Sequence, residues 1–424
     1  MEPRPVKILH HIDHPTAWAS SSRCVRVRGW CFVTNGKTLS GVRLRSGGLL
    51  FVGSVGLPRP DVSAAIASAP DANVGFEVCG VLPCGPNDLV LEAQLSDGTW
   101  HPFVTQTITA RRHWLPLWLN GKNVVELMSF QFPTLMQFAP RPLRPETFPA
   151  TRHSDAPPPK LSIVTPSFQQ ARYLPATLRS VIEQPATFPF DYVVQDGGST
   201  DGSTEIIRQH AKSGRLTTWE SGPDQGQSDA IARGFAKTSG GPDDLMAWIN
   251  SDDFYLPGAL AFVVDYFARH PEVDAVYGHR ILVDEESREI GRWFLPAHDA
   301  EVLRLNDFIP QETLFWRRRL WDKVGGIDPS FQFAMDWDLL LRFQAAGARI
   351  VRVPYFLACF RLHSAQKTSA AMRTTGQPEL DRLRERSYGR PFPPQELENS
   401  PHLLRYLRRS AWIEFLWKRG IRAR

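Results

Sequence analysis

The chain has 424 residues, 42% of them hydrophobic and 22% charged, with a net charge of +5 at neutral pH. That length exceeds what one hydrophobic core usually organises, so two structured units are expected, and the composition excludes disordered, collagen-like and fibrous classes. Residues 401–424 carry seven Lys/Arg against Glu414 alone, so the body is close to neutral, and with no helix-turn-helix, zinc-finger or RNP-type pattern a nucleic-acid partner is excluded.

The stretch from Met1 to His10 lacks the apolar run of a secretory signal, and no long uncharged apolar run follows, so a cytoplasmic location is expected. Cys24, Cys31, Cys79, Cys84 and Cys359 form no C-x-x-C pair, which points to reduced thiols rather than disulfides or a zinc site. Residues 1–112 alternate apolar and polar positions at 24–30, 42–45, 76–78 and 88–95, with an Asp97-Gly98 turn, and predict a small accessory β-sandwich. Within it, residues 55–62 and 74–76 resemble β-sandwich modules that precede some sugar-transferring enzymes.

Residues 113–159 are rich in proline, including Pro140, Pro142, Pro145, Pro149 and Pro157 to Pro159, and read as a linker. From 160 to 370 apolar strands at 161–164, 192–195, 216–219, 245–249 and 275–277 alternate with helical patterns at 174–183, 204–210, 227–235 and 258–269. This is the signature of an α/β domain with a mostly parallel sheet flanked by helices. Residues 371–424 read as a basic helical extension. Leu404, Leu407, Ala411 and Phe415 share a stripe there, suited either to a membrane surface or to docking on the preceding domain.

In open α/β sheets ligands bind beyond the carboxyl ends of the strands. Those ends carry Thr165-Pro166-Ser167-Phe168, Asp196-Gly197-Gly198-Ser199-Thr200-Asp201-Gly202 and Asn250-Ser251-Asp252-Asp253. The glycine-rich segment lets backbone approach a ligand and is equally good turn chemistry. It is neither a Walker loop nor a dinucleotide fingerprint. Adjacent carboxylates at Asp252 and Asp253 repel unless a cation or hydrogen-bond donors compensate them, and hard oxygen ligands suit Mg²⁺ or Mn²⁺ gripping a diphosphate.

The order of these pieces, continued by Trp219 to Ala230, Gln311 ahead of Phe315-Trp316-Arg317-Arg318, Met335-Asp336-Trp337-Asp338-Leu339 and Phe360-Arg361-Leu362-His363, resembles the inverting family 2 glycosyltransferases of GT-A fold. The resemblance covers about half the chain. It implies a nucleotide-sugar donor bound by Thr165, Pro166, Ser167, Asp196, Gly198, Asp229, Asp252 and Asp253. A Mn²⁺ or Mg²⁺ ion would be held by Asp252 and His363. Asp336 would be the catalytic base, with Gln311 and Trp337 on the side of a saccharide or lipid-linked acceptor. Asn250 and Met335 stand where the family usually keeps acids, so the alternative is a catalytically silent saccharide-binding or scaffold protein.

Overall fold

The computed structural model describes residues 7–15, 18, 20–22, 24–34, 38–83, 85–111, 140–149, 157–185, 188–363, 375–393, 396–397, 400–417 and 419–421. The chain divides into two compact units, Met1–Arg141 and Pro142–Arg424.

Among the described residues the first unit is all-β apart from one short helix, Pro60–Ala65. Its strands are β1 (Ile8–His14), β2 (Ser20–Ser22), β3 (Cys24–Val33), β4 (Leu39–Ser46), β5 (Leu49–Leu57), β6 (Gly75–Val81), β7 (Gly85–Leu95) and β8 (Trp100–Arg111). They run in the order β1-β3-β6-β5-β4-β7-β8-β2. β5 belongs to both halves: Leu49 to Gly53 pair with β4, and Ser54 to Leu57 pair with β6. At the changeover a Cβ on Gly53 would lie 2.6 Å from the Glu77 carbonyl oxygen, so only glycine lets the strand pass. Val27, Val42, Leu44, Phe51, Val78, Leu91 and Ala93 alternate inward from the two halves into one core. Cys31 lies in it as a free thiol that burial pushes up to about 12. Cys84 lies outside the described residues.

Residues 113–139 and 150–156 of the expected linker lie outside the described residues. Residues 142–149 are a strap on the second unit rather than a free tether. The Arg144 N–H donates to Glu289 (3.2 Å) and its carbonyl accepts from Arg292 (2.8 Å), while the Phe148 ring stacks on Phe262 at 5.1 Å.

The second unit holds a nine-stranded sheet of β9 (Leu161–Ser167), β10 (Phe190–Asp196), β11 (Thr218–Ser221), β12 (Leu245–Trp248), β13 (Phe254–Tyr255), β14 (Ala275–Val283), β15 (Glu289–Trp293), β16 (Phe315–Arg317) and β17 (Ile350–Arg361). Strands β11, β10, β9 and β12 are mutually parallel, as the alternation of strand and helix predicts. Beyond them β16 pairs antiparallel with both β12 and β14, so the sheet is mixed overall. Helices cover it because their apolar positions recur on one face: Leu174, Leu178, Val181 and Ile182 of Leu174–Ile182 are buried, and Pro175 sits in the first turn, where its missing N–H costs nothing.

A buried ion pair braces the antiparallel half. Arg280 of β14 forms a two-pronged pair with Glu312 (2.7 and 2.5 Å), both side chains being almost wholly out of solvent. Replacing Arg280 by Met leaves the Glu312 carboxylate buried and unmatched, and is expected to cost about 3–5 kcal/mol, read as a lower urea midpoint. An unchanged midpoint would show that the pair contributes nothing to stability.

The C-terminal helix Pro401–Trp417 is docked on the second unit by a stripe other than the one its sequence suggests. Leu403, Tyr406 and Ile413 are buried, Tyr406 packs on Phe308 (4.6 Å) and Trp417 on Phe294 (5.1 Å), and the Ser410 hydroxyl donates to the Phe294 carbonyl. Ala411 and Phe415 of the expected stripe face outward instead. The outer face carries Arg405, Arg408, Arg409 and Arg419 around a stacked Trp412–Phe415 pair. Trp412 and Phe415 are 57% and 42% exposed and Ile421 52%, so three large apolar side chains stand in water on an arginine-rich surface.

Candidate active site

The ends of β9, β10 and β12 meet on one side of the sheet. Register pairs Ser167 with Asp196 and brings the Gly197 N–H to the Ser167 carbonyl at 2.8 Å. Thr165 and Pro166 are buried in β9, and the Thr165 hydroxyl bonds the Tyr192 hydroxyl at 3.0 Å, so it faces the sheet's interior. The Ser167 hydroxyl is buried without a hydrogen-bond partner among the described residues.

Asp196 organises the turn that follows β10. Its carboxylate accepts from the N–H groups of Gly198 (3.1 Å) and Ser199 (2.9 Å) and from the hydroxyls of Ser199 and Ser221 (2.6 Å each). Gly198 turns the chain at φ +83°, a conformation that favours glycine. The turn then enters the helix Ser203–Ala211, where Asp201 accepts from the Ser203 N–H and hydroxyl. Asp229, in the first turn of the helix Gln227–Phe235, accepts from the Gln225 N–H at 3.1 Å and so folds the preceding loop over the helix end.

At the end of β12, Asp252 meets His363 from beyond β17, with Asp Oδ2 and His Nε2 2.9 Å apart. The Tyr173 ring packs against the imidazole at 4.6 Å. Arg361, almost fully buried, ties the two strand ends together. Its N–H donates to the Asp253 carboxylate (2.9 Å), its Nε to the Asp252 carbonyl (2.9 Å) and its Nη1 to the Asp284 and Glu285 carbonyls (3.0 and 3.1 Å). The other Asp253 carboxyl oxygen has no hydrogen-bond partner among the described residues. Burial first, then the Asp252 and Glu312 charges, push Asp253 well above the usual carboxylate range. Asn250 is engaged by Gln227, whose Nε2 donates to the Asn250 side-chain oxygen at 2.7 Å. Among the described residues no group of three or more His, Cys, Asp or Glu is arranged to hold a metal ion.

Asp336 stands half-buried in the first turn of the helix Met335–Ala345, where its carboxylate accepts from the Trp337 N–H at 2.9 Å. Burial, followed by the Asp336 charge, pushes Asp307 well above the usual carboxylate range. Gln311 links this region to β12 by donating to the Trp248 carbonyl at 2.8 Å, and its side-chain oxygen has no partner among the described residues. Trp337 is corrected here. It is fully buried, its indole N–H satisfied by the Leu303 carbonyl (2.7 Å), so it is a core residue that presents no surface to an acceptor. Asp338 is equally buried and paired with Arg342 and Arg386.

Sequence reasoning missed three residues. Arg361 lies inside a motif noted only for its histidine, Asp307 carries no motif, and Glu379 belongs to the extension. Glu379 accepts from the N–H groups of Gln332 (2.7 Å), Phe333 (2.8 Å) and Ala334 (2.8 Å), the residues directly ahead of the Asp336 helix.

With this geometry in view, a model of Glycosyl transferase family 2 matches residues 162–326. A PGL/p-HBAD biosynthesis glycosyltransferase of Mycobacterium bovis is 30% identical over 196 residues, which cover 46% of this chain and 73% of the relative. An uncharacterized glycosyltransferase of Nostoc sp. is 26% identical over 238 residues, covering 52% and 70%. Among solved structures, S. aureus TarS 1-349 in complex with UDP-GlcNAc gives a TM-score of 0.44 at 17% identity, covering 59% of this chain and 72% of that one. A mannosyltransferase from Pyrobaculum calidifontis in complex with GDP-Man and Mn²⁺ gives 0.43 at 17%, covering 71% and 81%.

Proposed function

The chain belongs to glycosyltransferase family 2, and from that premise we propose an inverting, metal-dependent hexosyltransferase that moves a sugar from a UDP- or dTDP-type donor to a saccharide or lipid-linked acceptor in glycan assembly. The observation that carries this reading is the 2.9 Å meeting of Asp252 and His363 from two different strand ends, beside the buried Asp253. Residues 160–370 form the catalytic domain in this reading, 1–112 an accessory domain and 371–424 an extension.

Pro166, Ser167, Asp196, Gly198, Asp229, Asp252 and Asp253 make the donor side, with Thr165 behind them in β9, its hydroxyl on Tyr192. Asp196 and the Gly198 turn shape the nucleoside end, because the carboxylate fixes the loop's N–H groups before any ligand arrives. The residues fit a divalent cation: Asp252 and His363 would be its protein ligands, with substrate phosphates and water completing the shell. Such an ion, when bound, neutralises the charge of the departing diphosphate. Arg361 keeps the Asp252 and His363 strand ends in register.

Asp336 accepts the proton of the attacking acceptor hydroxyl, and Gln311 lies on the acceptor side with an unpartnered oxygen to offer it. A single displacement needs one base and inverts the anomeric centre. Metal-dependent release of nucleoside diphosphate from a nucleotide sugar, with product of inverted configuration by NMR, is the expected result. Nucleotide binding without any turnover would favour the silent scaffold.

No helix among the described residues is long and apolar enough to cross a membrane. The protein works in the cytoplasm, peripherally at the inner face of the membrane, and touches it through 401–424, a reading supported by the exposed Trp412, Phe415 and Ile421 amid arginines. Replacing Trp412 and Phe415 together by Ser is expected to weaken sedimentation with phosphatidylglycerol-containing vesicles about tenfold or more, with little change in melting temperature. Equal binding by the variant would remove this face from the contact.

A further inference from the structure

We propose that Glu379 is the positioning residue for Asp336, supplied to the active site by the C-terminal extension; this rests on Asp336 being the base. The helix Met335–Ala345 begins at Ala334 with no side-chain cap of its own. Its approach presents three successive N–H groups, those of the cap residue Ala334 and of Gln332 and Phe333 before it, which no intrahelical carbonyl serves. Glu379 collects all three on one carboxylate, Oε1 taking Gln332 (2.7 Å) and Oε2 taking Phe333 and Ala334 (2.8 Å each). Glu379 also lies in the first turn of its own helix, Gln377–Tyr388, so two helix N-termini converge on a single negative charge.

The same loop is pinned from the donor side. The Phe331 carbonyl accepts from the Ser228 hydroxyl at 2.7 Å, and the Phe331 ring, fully buried, lies beneath the Arg382 guanidinium at 4.5 Å. The helix bearing Glu379 grips the base helix again through Arg386, 2.7 Å from the buried Asp338. Gln332 to Ala334 therefore form a short bridge between Ser228 and Asp336, and Glu379 is what fixes its backbone. Glu379 lies more than fifty positions beyond the stretch matched by the family model, which ends at 326.

The test uses the full chain with Glu379→Ala and the milder Glu379→Gln, whose single carbonyl oxygen cannot serve all three donors. Amide hydrogen exchange at 332–334 is compared with that of the sheet, and UDP release is followed with UDP-glucose and Mn²⁺. The expected result is faster exchange confined to 331–337, a kcat about 10–100-fold lower for the alanine variant, a donor KM within about twofold and an intermediate kcat for the glutamine variant. In an Asp336→Asn background, Glu379→Ala is expected to lower the residual rate no further, because both changes act through one group. Unchanged exchange at 332–334 overturns the proposal whatever the turnover, and so does local loosening with an unchanged kcat. Full activity in Asp336→Asn would overturn the reading of the base itself. A dead Asp336→Asn beside a normal Glu379→Ala would overturn only the role of Glu379.

Discussion

Asp336→Asn is expected to lower sugar transfer by at least about 100-fold, the scale of a lost general base, while leaving nucleotide affinity nearly intact. The substitution removes a proton acceptor but keeps the side chain's volume, and its carbonyl oxygen can still accept from the Trp337 N–H that Asp336 now engages. Folding and the donor side are therefore preserved. The check is steady-state turnover together with calorimetric binding of the nucleoside diphosphate. Loss of nucleotide affinity in the variant would move Asp336 into the binding set. Asp307 belongs to the same argument, because burial and the Asp336 charge push its carboxyl well above the usual carboxylate range, which disfavours a second negative charge beside Asp336.

Asp252→Asn is expected to remove most of the metal dependence of donor binding, lowering nucleotide affinity in Mn²⁺ by about tenfold or more and abolishing turnover. The change takes away the carboxylate oxygen that stands 2.9 Å from His363 while the backbone frame around it stays, since Arg361 bonds the Asp252 carbonyl and the Asp253 carboxylate. Titrating Mn²⁺ against variant and parent in the presence of UDP reads the effect. A variant that still binds nucleotide in a Mn²⁺-dependent way would show that the ion is held elsewhere.

Much of this architecture is legible in the chain because strand ends concentrate chemistry. The runs at 161–164 and 192–195 fall inside β9 and β10, and the small polar residues after them form the rim of the site. The antiparallel half is less legible: β16 is three residues long, too short for a period to register, and its Trp316 stacks within a buried aromatic group rather than announcing a strand. In the C-terminal helix two apolar stripes compete. The choice falls to Leu403, Tyr406 and Ile413 because Phe294 and Phe308 offer them a surface, a tertiary fact that helical periodicity does not contain. Trp337 is a related case: beside Asp336 in sequence a tryptophan suggests an acceptor platform, whereas its N–H on the Leu303 carbonyl fixes it in the core. Glu379 left no trace in any motif, because its partners are backbone N–H groups, which every sequence supplies.

The central claim is that Asp252 and His363, with the strand ends around them, form a metal-assisted nucleotide site. The most direct measurement is the melting temperature of the full chain with UDP, dTDP and GDP, each with and without Mn²⁺, since a ligand that binds only the folded state raises it. The account predicts a rise with UDP or dTDP that requires Mn²⁺ and is lost in Asp252→Asn. No rise with any nucleotide in Mn²⁺, or a rise indifferent to Mn²⁺ and to Asp252, would contradict it.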